Sequence, residues 1–386
     1  MTTAVYINRM SDEGYERVEA AIRLEPTDRV PVVPTLLAEA AAGLTGTLQG
    51  DMVSDNTLLI DTLFKLFDEY GGWDAICPGF SLPIQMQVTG GFPMKMRVSG
   101  QDLAPDIPTQ LDEQEILQVE DYDKITEIGF DAFYREDYLW RVTKATSDEA
   151  TDCMAQLMSA DALFTECCRK RNISRLPAGN GVHPFFALSL MRSMVPFTQD
   201  IYYNPEPVER AIQRMTDDLI AAKIEEMKSW ETNIWLLTEE RAGGYFFSPK
   251  MFERFWWPYT KKIVEAMWEH GVVTMFHLDT CWDKNLAYFK ELPRGSTVLE
   301  VDGTTDLALA KEILNDHACL KGDVPAALLA LGSPDEVASY CKEKIDIVGA
   351  GGGYILSTGC CVPPNVKPEN FRAMIDTAKN YRGKGR

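Results

Sequence analysis

Beyond about residue 170 the chain alternates two patterns: short apolar runs, and longer stretches in which apolar positions recur every three or four residues. The runs are Ile173 to Ala178, Ile234 to Glu239, Val272 to Asp279, Ser296 to Asp302, Ala318 to Val324 and Tyr354 to Thr358. Their length and β-branched content predict strands, and the intervening stretches predict amphipathic helices, with Pro205 to Trp230 and Pro249 to His270 each opening on a proline. Alternating strand and helix over this length predicts a parallel sheet joined by right-handed crossovers. No GxGxxG follows the first strand and no GxxxxGK[ST] occurs, so a closed barrel is favoured over a doubly wound nucleotide fold.

The N-terminal part reads differently. Ser11 to Leu24 carries Tyr15, Val18, Ala21 and Ile22 at helical spacing and stops at Pro26-Thr27-Asp28. Arg29 to Pro34 is a β-branched run bounded by prolines, an Ala-rich helix follows from Leu37, and Trp73 to Pro78 is a second short strand. Ile84, Met86 and Val88 alternate with polar residues before Thr89-Gly90-Gly91, and Phe92, Met94, Met96 and Val98 alternate after it. Period-two alternation on both sides of a Gly-Gly turn predicts a Met-rich hairpin over 83–98, on the rim of the barrel or as a plug at its bottom. The expectation is one α/β domain over 1–386: a TIM (β/α)8 barrel with an N-terminal helical extension, whose lead-in covers 1–28, and a β-hairpin insertion.

Composition narrows the partners. Of 386 residues 45% are hydrophobic and 25% charged, which excludes a disordered or fibrous chain. A net charge of −20, from 38 Lys and Arg against 58 Asp and Glu, argues against nucleic acid and anionic lipid. No apolar run is long enough to span a membrane, and Met1 to Met10 lacks the basic and apolar regions of a secretion signal. A cytoplasmic protein with no membrane partner is expected. Nine cysteines in a chain this long point to reduced thiols or metal ligands rather than bridges.

In a barrel the chemistry lies where strands end. The run at Phe276 closes on His277-Leu278-Asp279-Thr280-Cys281-Trp282, and His277 and Asp279 point to the same side of a strand. Another strand ends in Gly359-Cys360-Cys361-Val362-Pro363-Pro364. Imidazole, carboxylate and thiolate together suit zinc, which in catalytic sites takes three protein ligands and keeps one position open. The competing reading is that these cysteines are small buried hydrophobes, as Cys77, Cys153, Cys167, Cys168, Cys319 and Cys341 are taken to be. Glu239-Glu240-Arg241 ends a third strand and offers a ligand, a base or a solvated salt-bridging loop. Asp302 and Asp323 also end strands, as ligand contacts or helix caps. His183 and Tyr245, each just past a strand, are candidate substrate contacts.

His277-Leu278-Asp279, Val301-Asp302-Gly303-Thr304-Thr305-Asp306, Lys321-Gly322-Asp323-Val324-Pro325 and the run from Ser357 to Asn370 resemble the uroporphyrinogen decarboxylase superfamily, and the resemblance reaches back to Arg29-Val30-Pro31-Val32. It implies a TIM barrel. True decarboxylases of that superfamily carry an Arg-Gln-Ala-Gly-Arg segment after the first strand, where this chain has Thr35-Leu36-Leu37-Ala38-Glu39-Ala40. Without arginine, a substrate bearing many carboxylates has no counter-charge there. The cobamide-dependent methyltransferase branch places zinc on His-x-Cys and a later Gly-Cys-Gly. The resemblance carries His277 and Cys360 over as ligands, and leaves Asp279, Cys281, Cys361 or Glu240 to complete the set. The His-Leu-Asp form, with Trp282 beside it, is similar to the methyltransferase I components of O-demethylase systems.

What the resemblance implies is a zinc enzyme in which His277, Glu240 and Asp279 act at the reacting centre and Tyr245, Trp282, Asp302 and His183 contact substrate. A methyl group would pass from a methoxylated aromatic to cobalamin on a separate corrinoid protein at an open barrel mouth. Transfer between a methylcobamide and a thiol of the coenzyme M type, and decarboxylation, are the alternatives. A second copy of the chain is kept as a candidate partner. Two zinc ligands must converge, so His277 and Cys360 are expected within about 8 Å.

Overall fold

A computed structural model describes residues 12–384; Met1 to Ser11, and with them the first residue of the expected lead-in helix, lie outside the described residues. The lead-in is a helix over Glu13–Ile22, with the Asp12 carboxylate capping it by accepting from the Gly14 N–H.

Among the described residues eight strands are numbered in chain order: β1 (Lys95–Arg97), β2 (Gln110–Asp112), β3 (Gly179–Val182), β4 (Ile234–Glu239), β5 (Val273–Leu278), β6 (Thr297–Val301), β7 (Cys319–Val324) and β8 (Tyr354–Thr358). The last six form one parallel sheet in chain order. The two predicted N-terminal strands shrink to single bridges, Val32 with Leu356 and Ile76 with Arg175. Those bridges nevertheless carry the ring round. Val33 N–H donates to Leu356 O, Asp74 N–H to Val32 O, and Ile76 N–H to Ser174 O, so β8 continues through residues 31–33 and 74–76 to the start of the third stave. The architecture is the expected α/β barrel with a helical N-terminal region.

Three elements differ from expectation for local reasons. The strand predicted over 173–178 becomes regular only at Gly179, because Pro177 offers no N–H to a ladder. At Gly179 and Gly181 an added Cβ would lie 2.3 Å from the Trp230 ring and 2.8 Å from the Trp235 ring, so glycine here lets two indoles pack on the strand. The helix predicted over 249–270 is broken at Trp256 into Pro249–Phe255 and Trp257–Glu269, because Pro258 cannot donate to the preceding turn.

The third difference is the insertion. Residues Pro83–Val88, the expected first arm of the hairpin, form a helix with Pro83 in its first turn, and Gln85 folds back to accept from Leu82 N–H. Gln85 and Gln87 are buried while Ile84 and Met86 are half-buried, so the alternation there is that of a short helix. The other arm is a strand, but β1 pairs antiparallel with β2, placing the insertion over 95–112. Since it leaves from the C-terminal end of residues 74–76, it belongs to the mouth side. Glu113, just beyond it, ties it there by accepting from Arg241 after β4 and from the Met194 N–H. Among the described residues no helix is long and apolar enough to cross a membrane.

Candidate functional site

Parallel register builds the centre of the site. His277 on β5 lies beside Glu300 on β6, and Glu300 beside Lys321 on β7. Two residues beyond His277 the chain leaves the sheet, and β8 ends two residues before Cys360. Cys360 Sγ comes 3.4 Å from His277 Nε2, well inside the expected limit. Asp279 Oδ1 lies 3.4 Å from the same nitrogen. Among the described residues these three side chains are the group whose ligand atoms all fall within 4.8 Å of one another. The His277 side chain is 12% exposed and that of Asp279 30%, so the group opens to solvent at the mouth.

The Asp279 loop is held from three sides. Trp282 Nε1–H donates to the Asp279 carbonyl at 2.8 Å, Thr280 N–H donates to Asp302 Oδ2 at 2.9 Å, and Trp282 N–H donates to Thr305 Oγ1 at 3.0 Å. Thr280 takes φ of +67°, the left-handed turn that brings the chain back under Asp279.

The titratable groups of the cluster perturb one another. The Cys360 thiol is held well below the usual range, chiefly by its sulfur–sulfur contact with Cys361 at 3.8 Å and then because His277 faces it; Cys361 is pushed up in turn. Burial works against a charged His277, yet its hydrogen bonds to Cys360 and Glu300 raise it well above the usual imidazole value. Burial pushes the Asp279 carboxyl up to about 7. Burial would raise Glu300 too, but the charges of Lys321 and His277 override it and hold the carboxyl at about 2. Asp279 Oδ1 is buried and accepts no hydrogen bond. A carboxylate oxygen aimed without a donor at an imidazole nitrogen and a thiolate suits a divalent metal, and one nitrogen, one oxygen and one sulfur within 4.8 Å fit zinc.

Other sequence candidates fall elsewhere. Glu240 stands outside the close group, although burial raises it and the charges of His277 and Cys360 reach it. The Cys281 thiol is paired with Asp283 rather than with His277. Tyr245 is 72% exposed, edge-on to Phe246 in the loop after β4, open to solvent rather than enclosing a pocket. Three expected substrate contacts are engaged within the protein. Trp282 is fully buried against Trp256, Phe252 and Phe289, and its N–H is spent on the Asp279 carbonyl. The Asp302 carboxylate accepts from Thr280 N–H, Thr304 N–H and the Thr304 hydroxyl, bracing two loops. His183 is 0% exposed: Nδ1 accepts from Phe185 N–H, capping Pro184–Arg192, and Nε2 meets Thr260 Oγ1 at 3.0 Å. Burial pushes that ring down to about 3, so it stays neutral.

Glu300 and Lys321 escaped the sequence reading. Both lay inside runs read as apolar strands, and the available signal was a charged residue in the middle of a strand buried on both faces. Cys77, assigned to packing, is half-buried; loss of solvent around its thiol pushes it up to about 11, and the charges of Lys321, Glu300 and His277 reach it.

The chain is similar to known proteins in sequence and in fold. The family profile described as uroporphyrinogen decarboxylase (URO-D) matches residues 165–381, more than half of the chain. The uroporphyrinogen decarboxylase of Christiangramia forsetii is 26% identical over 181 residues, 47% of this chain and 50% of that protein. The methylcobamide:CoM methyltransferase MtbA of Methanosarcina mazei is 33% identical over 144 residues, 37% of this chain and 39% of that protein. The chain thus spans half or less of the length of these curated relatives. A solved methyltransferase from Methanosarcina mazei superposes with a TM-score of 0.69 over 96% of this chain and 99% of that one, at 18% identity, which supports the fold.

Proposed function

The chain belongs to the uroporphyrinogen decarboxylase family, and from that premise we propose that it is a metal-dependent methyltransferase working with a cobamide carried on a separate corrinoid protein. The observation that carries the reading is the convergence of His277, Asp279 and Cys360 at the barrel mouth. The segment Thr35 to Ala40 has no arginine to receive a polycarboxylate, which argues against decarboxylation.

His277, Asp279 and Cys360 would hold zinc, with Glu240 near enough to bear on its charge. Bound zinc supplies Lewis acidity, drawing electron density from the atom that carries the methyl group. This chain's part is positional. Cys360 as thiolate and Asp279 as carboxylate bring two negative charges to a dication, and Asp279 is held through Trp282 and Asp302. A cobamide is larger than a lumen filled by side chains, so it must meet the substrate at the mouth, where the ligand group is partly exposed. A reduced cobamide would supply the nucleophile for a methoxylated substrate, so no general base would be required of the protein.

The favoured substrate is a methoxylated aromatic, because a carboxylate in place of a thiolate makes a harder site suited to an ether oxygen. Similarity to a methylcobamide:CoM methyltransferase favours a second reading, transfer to a small thiol. Two anaerobic assays test these readings: reduced cobamide with a panel of methoxy-aromatics, and methylcobamide with a panel of thiols, each followed by the cob(I)alamin spectrum. Loss of cob(I)alamin with methoxy-aromatics supports the first, and release of cob(I)alamin from methylcobamide by thiols alone supports the second. A chain purified without stoichiometric zinc and inactive with both would end the methyltransferase reading.

A further inference from the structure

The metal reading rests on His277, and two charged side chains stand directly behind it. Glu300 and Lys321 are each 3% exposed on adjacent strands, between Leu299 and Val301 on one and Leu320 and Gly322 on the other. A buried ion pair contributes little net stability, and apolar residues of like volume commonly do as well or better. Its place in this sheet therefore calls for a reason other than stability.

The hydrogen bonds supply one. Glu300 Oε2 accepts from His277 Nδ1 at 3.0 Å, while Oε1 accepts from Lys321 Nζ and from Thr35 Oγ1 at 3.2 Å. Lys321 also donates to Thr35 Oγ1 at 3.3 Å and to Ser357 Oγ at 2.9 Å, and Ser357 passes its proton to Val33 O at 2.7 Å. The network thus runs from the imidazole across β6, β7 and β8 to the segment around residue 33. A carboxylate on Nδ1 keeps the proton on that nitrogen, so the lone pair of the neutral ring lies on Nε2, the atom that faces Cys360 and Asp279.

We propose that Glu300 is the positioning residue for His277, fixing its tautomer and ring orientation toward the metal, and that Lys321, bonded to the other carboxylate oxygen, holds Glu300 in that orientation. The inference deepens the metal reading and rests on His277 being a ligand. Its test is metal binding: zinc affinity by competition with a chromogenic chelator, and the visible spectrum of the cobalt(II)-loaded protein.

Replacing both charges, E300L/K321M, leaves no uncompensated charge, and the metal-free variant is expected to melt near the parent. Its zinc affinity is expected to fall about 10–100-fold, with a changed cobalt spectrum. E300Q/K321M restores an acceptor for Nδ1–H, without charge, and is expected to recover part of the loss. Parental affinity and spectrum in E300L/K321M would overturn the proposal. Should that variant not fold, E300D, which draws the carboxylate back by one methylene while keeping its charge, carries the test, and unchanged zinc affinity there would equally overturn it. His277→Ala separates the two levels. If it still binds zinc, the metal reading itself fails; if it loses zinc while E300L/K321M keeps it, only the positioning role fails.

Discussion

A carboxyl held out of water beside a thiol and an imidazole costs stability when it ionises, and Asp279 allows that cost to be measured. Burial moves its carboxyl from the ordinary 3.8 to about 7. Between those values the folded metal-free chain holds a proton that the unfolded chain has lost, so stability falls as pH rises through this window. Each pH unit in it is worth about 1.36 kcal/mol, which sets an upper bound of about 4 kcal/mol for the whole interval. Part of the cost is already present at pH 5, leaving about 2.5 kcal/mol between pH 5 and pH 8, and the side chain's partial exposure reduces this to about 1–2 kcal/mol. Asp279→Asn removes the titration. Urea unfolding of parent and variant in the presence of a chelator should therefore show the variant gaining on the parent by that amount from pH 5 to pH 8. Glu239 titrates in both proteins and largely cancels in the difference, whereas His277, Cys360 and Glu240 interact with Asp279, so the difference reads the cluster with Asp279 at its centre. Excess zinc at pH 8 should reverse the order, stabilising the parent by about 4 kcal/mol at a thousandfold over Kd and the variant by less. A gap that does not change with pH would refute the reasoning, whatever its size.

Cys360→Ala is expected to lose zinc and methyl transfer while keeping its far-ultraviolet circular dichroism, whereas Cys361→Ala keeps zinc, checked by metal analysis of the purified variants. Asp279→Cys, which supplies a softer donor at the same loop position, is expected to retain zinc and shift the kcat/KM ratio from ethers toward thiols in the cobamide assay. His183→Ala removes a helix cap and a fully buried ring, so it should cost about 2–4 kcal/mol in denaturant unfolding. KM for substrate should be unchanged by it, because the ring lies in the wall and not at the mouth.

What was legible in the sequence depended on whether local pattern and tertiary role coincide. β4 and β8 run as expected over Ile234–Glu239 and Tyr354–Thr358, because an apolar run buried on both faces and closed by a polar turn has few other solutions. Residues 31–33 and 74–76 have similar composition but form single bridges, and nothing local distinguishes a full ladder from one bridge. Over Pro83–Val88 alternation pointed to a strand, yet a proline in the first turn and the Gln85 bond to Leu82 N–H settled the segment as a helix. In the site, His277, Asp279 and Cys360 were legible because a polar residue at the end of an apolar run is unusual. Trp282 and His183 occupy similar positions and turn inward, and chain position carries no information on that choice. Glu300 and Lys321 could have been found only by asking why two adjacent buried strands each carry a charge.

These placements share one electrostatic logic. With a neutral imidazole, one thiolate and one carboxylate balance a zinc dication, as two thiolates would, so Asp279 alters the donor atom and not the net charge of the centre. Behind it Glu300 and Lys321 also sum to zero, which lets a carboxylate orient His277 without adding a third negative charge beside the metal. Had Glu300 stood alone, its charge would have opposed loss of electron density from the substrate atom that carries the methyl group. The lysine is thus the residue that reconciles a fixed imidazole with an electrophilic metal. It also gives a role to two charges in register on neighbouring strands: paired across β6 and β7, they cancel at depth without reaching the mouth.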